Sequence, residues 1–129
     1  MDIIAKSQVR VAPRKVRLVA DAIRPMALTD ALASLGTIKN RGAVSIGKTL
    51  KSAVSNAKNN NSLKEESLKI KSITVNEAPS YKRFHPSTRG RVHQYKRRGS
   101  NITIVLTDSM ESQNPKVKIK NETKEKGKK

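Results

Sequence analysis

The chain has 129 residues, no cysteine, and 28 Lys or Arg against 10 Asp or Glu, a formal net charge of +18. The missing cysteine excludes disulfides and thiolate metal sites, and no apolar run approaches the roughly 18 residues of a membrane span. So large a positive excess points to a polyanionic partner, which means nucleic acid or, less often, an anionic membrane.

An apolar fraction of 35% implies one domain with a small, aliphatic core. The first residues, Met1-Asp2-Ile3-Ile4-Ala5-Lys6, lack the shape of a signal peptide, so the chain reads as soluble, intracellular and basic. Gln8-Val9-Arg10-Val11 alternates polar and apolar residues, the pattern of a short strand. Pro13 opens a helix at a position where its missing N–H costs nothing. Over residues 14–24, Val16, Val19, Ala20 and Ile23 then fall on one helical stripe. Arg14, Lys15 and Arg17 crowd its first turn, where the helix dipole disfavours cations. That placement serves stability poorly and suits a helix start that lies against phosphates.

Pro25 ends this helix, and Thr29 is placed to cap the next. Leu28, Ala31, Leu32 and Leu35 keep its period, and Gly36 is a natural stop. A third helix is expected over residues 40–58, with Ala43, Ile46, Leu50, Ala53, Val54 and Ala57 spaced three and four apart. The polar run Asn59-Asn60-Asn61-Ser62 closes it. The period then changes to two. Leu68 and Ile70 share a face, Ile73 and Val75 have the opposite phase, and a β-bulge near Ser72 reconciles them. The alternation returns only at Ile102, Ile104 and Leu106.

Residues 78–107 hold seven Lys or Arg, no acid, both histidines and every aromatic ring of the chain. The rings are Tyr81, Phe84 and Tyr95, and they sit among Lys82, Arg83, Arg89, Arg91, Lys96, Arg97 and Arg98. Soluble domains normally spend such rings on the core. Here they are interleaved with cations on a hairpin that has no apolar face, with Gly90 at its turn. Such a hairpin would reach on the order of 30 Å. Cations, rings, His85 and His93 together suit a partner with phosphates to pair and bases to stack on. The tail over residues 111–129 carries seven Lys, three Glu and almost no hydrophobes, and it reads as disordered and solvated.

Gly42-Ala43-Val44-Ser45-Ile46-Gly47-Lys48-Thr49 matches the phosphate-loop pattern G-x-x-x-x-G-K-[ST] letter for letter. That loop must leave a buried strand with its N–H groups free. Residues 37–41 are polar, and the match lies inside the stripe of the third helix, so it is a coincidence. His85 and His93 have no cysteine or carboxylate near them to complete a metal site or a catalytic dyad. No catalytic residue, metal or cofactor is expected.

Several stretches stand in the order and spacing of one family. They are Arg14-Lys15-Val16-Arg17-Leu18-Val19-Ala20-Asp21, Leu50-Lys51-Ser52-Ala53, Asn76-Glu77-Ala78-Pro79, Lys82-Arg83-Phe84, Gly90-Arg91 and Ser100-Asn101-Ile102-Thr103-Ile104-Val105. Over residues 8–108 the chain resembles bacterial-type large-subunit ribosomal protein twenty-two. Departures are Pro25-Met26 after the first helix, Ser87 and Thr88 near the turn, and Gly42 and Gly47 in the third helix. Each of those glycines is expected to weaken the helix by about 1 kcal/mol.

The resemblance implies an α+β fold, three helices on a three-stranded antiparallel sheet with a long projecting hairpin at 79–98. It implies an rRNA-binding domain over residues 1–110, with the tail outside it. The implied role is a non-enzymatic constituent of the large ribosomal subunit, in the cytoplasm or an organelle, that supports subunit assembly. The implied partners are 23S rRNA, neighbouring large-subunit proteins and the nascent peptide, with the protein a monomer in the ribosome and no membrane. The rRNA-binding residues would be Arg14, Lys15, Arg17, Tyr81, Lys82, Arg83, Phe84, His85, Arg89, Arg91, His93, Tyr95, Lys96, Arg97 and Arg98. A tunnel-side tip would comprise Lys82, Arg83, Arg89, Gly90 and Arg91.

Overall fold

In the computed structural model, which describes residues 2–108, three helices pack on a three-stranded antiparallel sheet of order β1-β3-β2. The α+β class is as expected; the tail over residues 111–129 lies outside the described residues.

Strand β1 is Asp2–Val9, and it pairs with β3, Val92–Asp108, from Asp2↔Thr107 to Val9↔Ser100. The strand expected at residues 8–11 therefore starts six residues earlier. Ile3 and Ala5 alternate into the core, but Ile4 between them points outward at 52% exposure. An apolar residue on the wet face hid the alternation. Arg10 and Val11 lie beyond β1, where the Ser100 hydroxyl donates to the Val11 carbonyl.

Helix α1 is Pro13–Ile23, with the expected stripe of Val16, Val19, Ala20 and Ile23 buried. Helix α2 is Leu28–Thr37. Its N-cap is Ala27 rather than Thr29, because Leu28 is already inside the helix and buried. The helix runs through Gly36 to Thr37 and stops at extended Ile38, so Gly36 is not its stop. Helix α3, Arg41–Asn61, starts one residue after the expected Asn40, which instead caps it: the Asn40 side chain accepts from the Gly42 N–H at 2.9 Å. Its end overruns the expected one, through the asparagines to Ser62 in the left-handed region.

The core is aliphatic throughout. Ile46 and Leu50 of α3 and Ile23 of α1 meet Ile102, Ile104 and Leu106 of β3, all fully buried. Each such side chain contributes about 1.5–3 kcal/mol by leaving water. Gly42 is what lets α1 and α3 touch. A methyl group there would meet the Lys15 carbonyl oxygen at 2.9 Å and the Val16 Cα at 3.2 Å. The glycine expected to be a weakness is a contact. Gly47 differs, since a methyl group there would lie an ordinary 4.0 Å from the Leu35 Cβ.

Strand β2, Leu68–Pro86, bulges between Ile70 and Ser72, where the change of phase demanded it. It is also an edge strand. Arg17 Nε of α1 and Nη2 of Arg24, which follows α1, each donate at 3.2 Å, to the Val75 and Ile73 carbonyls, which blunts that edge against unwanted pairing. The bulged Lys71 reaches across β3 to Asp2 at 2.6 Å. Its ammonium, helped by Thr107, holds the Asp2 carboxyl below the usual aspartate range. The small stability this adds is present above the ordinary aspartate value and is lost as pH falls through the lowered one.

Candidate nucleic-acid interface

Beyond Ala78 both long strands leave the helices and pair only with each other. Ala78↔Gly99 is followed by Tyr81↔Arg97, so Pro79 and Ser80 share a bulge opposite Arg98. A bulge is where a strand tolerates the missing N–H of proline. Gly99 forms the neck here. A methyl group on it would come within 3.1 Å of the Val9 carbonyl oxygen and 3.3 Å of the Ala78 Cβ.

The register sorts the hairpin side chains by chemistry. Directly opposed residues share a face, so the pairs Tyr81↔Arg97, Arg83↔Tyr95 and His85↔His93 line one side. Lys82↔Lys96, Phe84↔Gln94 and Pro86↔Val92 line the other. The first face sets a tyrosine beside an arginine twice and ends in two imidazoles. The second is cationic near the root and apolar near the turn, where Phe84 and Val92 are 65% and 60% exposed. The hairpin thus has an apolar patch that its sequence alone did not suggest.

At the turn the Ser87 N–H donates to the Arg91 carbonyl at 2.8 Å. Gly90 takes φ +70°, as its place in the sequence suggested, and Arg89 takes φ +57°. That left-handed arginine costs about 1–2 kcal/mol, and it puts a guanidinium at the apex. Arg89, Gly90 and Arg91 therefore lie at the end of the hairpin. Lys82 and Arg83 lie down the arm, four and three residues before Pro86, roughly 10–13 Å short of the turn at the usual strand rise. His85 Nδ1–H donates to the Pro86 carbonyl at 2.8 Å. Its Nε2 is left as the ring's outward acceptor when neutral.

The hairpin root is where the predicted cations of different elements meet. The close approach at Gly42 sets the starts of α1 and α3 side by side. A groove there is lined by Arg10, Lys15, Arg41, Tyr95, Lys96 and Arg97, among others. A second runs past Arg14, Arg17, Glu77 and Arg98. A third, smaller cleft lies between Arg10, Tyr81, Arg83, Arg97, Arg98 and Gly99, with the Arg10 guanidinium 5.7 Å from the Tyr81 ring centroid. The start of α1 has no acid in its first turn and no side-chain cap, so nothing there offsets Arg14 and Lys15.

Two of these cations were not among those expected. Arg41 opens α3 as Arg14 and Lys15 open α1, so the rule that singled them out applies to it equally. Arg10 was hidden inside the strand expected at residues 8–11. Two expectations need amending. Arg17 spends its Nε on the sheet edge, leaving only the rest of its guanidinium for a partner. The hairpin cations are also not wholly free of acid, because Arg98 lies 3.5 Å from Glu77. Both side chains are more than half exposed, and such a pair is worth little.

The phosphate-loop match has no loop. Residues 42–49 are one stretch of α3, and the Thr49 hydroxyl is occupied, donating to the Ser45 carbonyl at 3.0 Å and meeting the Ser7 hydroxyl at 2.6 Å.

Comparison with known proteins finds one family. The family model described as Ribosomal protein L22p/L17e matches residues 4–107. The chain is 43% identical over 102 residues to the large ribosomal subunit protein uL22 of Mesoplasma florum, covering 79% of this chain and 91% of that one. It is 43% identical over 108 residues to the uL22 of Oceanobacillus iheyensis, covering 84% and 95%. To the uL22 of Thermus thermophilus it is 45% identical over 98 residues, covering 76% and 87%.

Proposed function

The chain belongs to the ribosomal protein L22p/L17e family, a structural and non-enzymatic one, and on that premise we propose that it is a constituent of the large ribosomal subunit that grips large-subunit rRNA with its hairpin and the basic groove at the hairpin root. One observation supports this most. Residues 79–98 form a paired ribbon that is exposed along its whole length among the described residues and alternates cations with exposed rings on one face. A bare ribbon is marginal in water, and mutual repulsion of its cations makes it less stable still. RNA supplies what is missing, phosphates for the guanidinium groups and bases for the rings.

The rRNA contacts comprise the starts of α1 and α3, with Arg14, Lys15, Arg17 and Arg41, then Arg10, and then both hairpin faces. The apex, Arg89, Gly90 and Arg91, reaches furthest from the domain and forms part of the wall of the nascent-peptide tunnel. Binding many phosphates at once joins distant rRNA segments, which is how such a protein supports assembly.

Affinity for large-subunit rRNA should fall about a thousandfold or more between 50 and 200 mM salt if six or more phosphates are engaged. Folded rRNA should also outcompete duplex DNA, whose grooves and stacked bases offer the rings nothing. A flat salt response, or equal competition by duplex DNA, would point instead to a general compaction protein.

A further inference from the structure

We propose that the cleft at the hairpin root is a pocket for a single unpaired nucleotide, its base stacked on Tyr81 and its phosphate held by Arg10, Arg83 and Arg97. This rests on the RNA-binding reading above and assigns one site within it to one base and one phosphate.

The size of the cleft limits what enters. It holds about 200 Å³, below the ~300–1,000 Å³ of sites that take drug-sized ligands. One planar group fits. Its walls then select the chemistry. They carry one ring, Tyr81, with half of its surface exposed, and otherwise guanidinium groups and the bare backbone of Gly99. Arg98 has Glu77 beside it, whereas Arg10, Arg83 and Arg97 have no acidic partner among the described residues. Three unpaired guanidinium groups around one cleft repel one another until an anion enters. A phosphate satisfies them, since the arginine fork matches its oxygens.

The ring supplies the second half of the recognition. The Arg10 guanidinium over one face of Tyr81 leaves the other for a base, and arginine planes serve as stacking surfaces too. The pocket is also built before any ligand arrives. Arg10 comes from the end of β1, not from the hairpin, and the tight neck at Gly99 fixes β1 against both hairpin strands. A nucleotide therefore finds the Tyr81 ring and the Arg10 cation side by side, brought together by two different elements at the neck. Tyr95, one pair further along the same face, lines the open groove instead.

The chain has two tyrosines and no tryptophan. In a Tyr95→Phe variant, intrinsic emission therefore reports Tyr81 alone. The full-length variant is titrated with an oligoadenylate and with a backbone-matched oligomer carrying tetrahydrofuran spacers in place of every base. Both should bind through charge. The oligoadenylate should quench Tyr81 emission and bind about tenfold or more tighter, the ordinary worth of one stacked base. In the otherwise native chain, Tyr81→Phe should keep that discrimination and Tyr81→Ala should lose most of it. Arg10→Gln should weaken the oligoadenylate and reduce its preference. Tyr81 is outside the core, so unfolding midpoints of all variants should match. Equal affinity for the two oligomers with no base-dependent quenching overturns the pocket while leaving RNA binding in place. Discrimination undiminished by Tyr81→Ala overturns it as well. If neither oligomer binds, both the pocket and the RNA-binding reading fail.

Discussion

The double substitution Arg97→Glu with Arg98→Glu is expected to deplete the protein from large ribosomal subunits while its isolated fold stays intact. Both residues line the clefts at the hairpin root, and neither belongs to the core. Reversing them replaces two attractions with two repulsions in a site crowded with phosphates. Each lost phosphate contact should also lower the slope of log affinity against log salt by about 0.7–0.9. The Arg98–Glu77 pair disappears too, but a surface pair contributes at most about 1 kcal/mol. Sedimentation of subunits should leave the variant in the soluble fraction, with an unfolding midpoint close to that of the parent. Undiminished co-sedimentation would count heavily against rRNA binding through the hairpin root.

Gly42→Leu should have the largest effect on stability, and it should damage binding as well. A side chain at Gly42 runs into the backbone of Lys15 and Val16, which cannot step aside as a flexible side chain would. Overpacking of this kind costs about 1–3 kcal/mol and occasionally more. For a domain of this size each kilocalorie lowers the unfolding midpoint by about 4–8 °C. The starts of α1 and α3 would separate, and Lys15 and Arg41 would separate with them, so rRNA affinity should fall along with the midpoint. Gly47→Ala is the matched control. The added methyl makes ordinary contact with Leu35, and the helix gains up to about 1 kcal/mol over glycine, so the midpoint should rise. Equal midpoints for the two variants would show that the helices are not in close contact at Gly42.

Most of the fold was legible because aliphatic periodicity carries it. The stripes of α1 and α3 and the phase change that forces the bulge at Lys71 are local patterns, and they appear where expected. What failed depended on long-range context. β1 was misplaced because Ile4 lies on the wet face of the sheet and breaks the alternation of Ile3 and Ala5. Thr29 looked like a cap, but burial of Leu28 pulled the helix start two residues earlier. Gly42 looked like a weakness because its reason is the backbone of another helix, twenty-seven residues away in the chain.

The candidate site was legible as composition but not as arrangement. Cations and rings over residues 81–98 are plain in the sequence. Their sorting onto two faces is not, since it depends on a bulge at Pro79 that shifts the register by one residue. Had the strands paired without it, every ring would have met a different partner. The root clefts are a tertiary product. They need β1, two helix starts and both hairpin strands, so Arg10 carried no local signal, and the helix-start signal of Arg41 could not by itself set it beside Arg97.

The central claim is that the hairpin has RNA, rather than protein, as its packing partner. Crosslinking within intact large subunits, with the protein-side sites mapped by mass spectrometry, tests it most directly. Crosslinks from Tyr81, Tyr95 and the lysines and arginines of the two arms should run to large-subunit rRNA along the whole ribbon. An rRNA crosslink map confined to the helices, with residues 81–98 joined to a neighbouring protein instead, would contradict it.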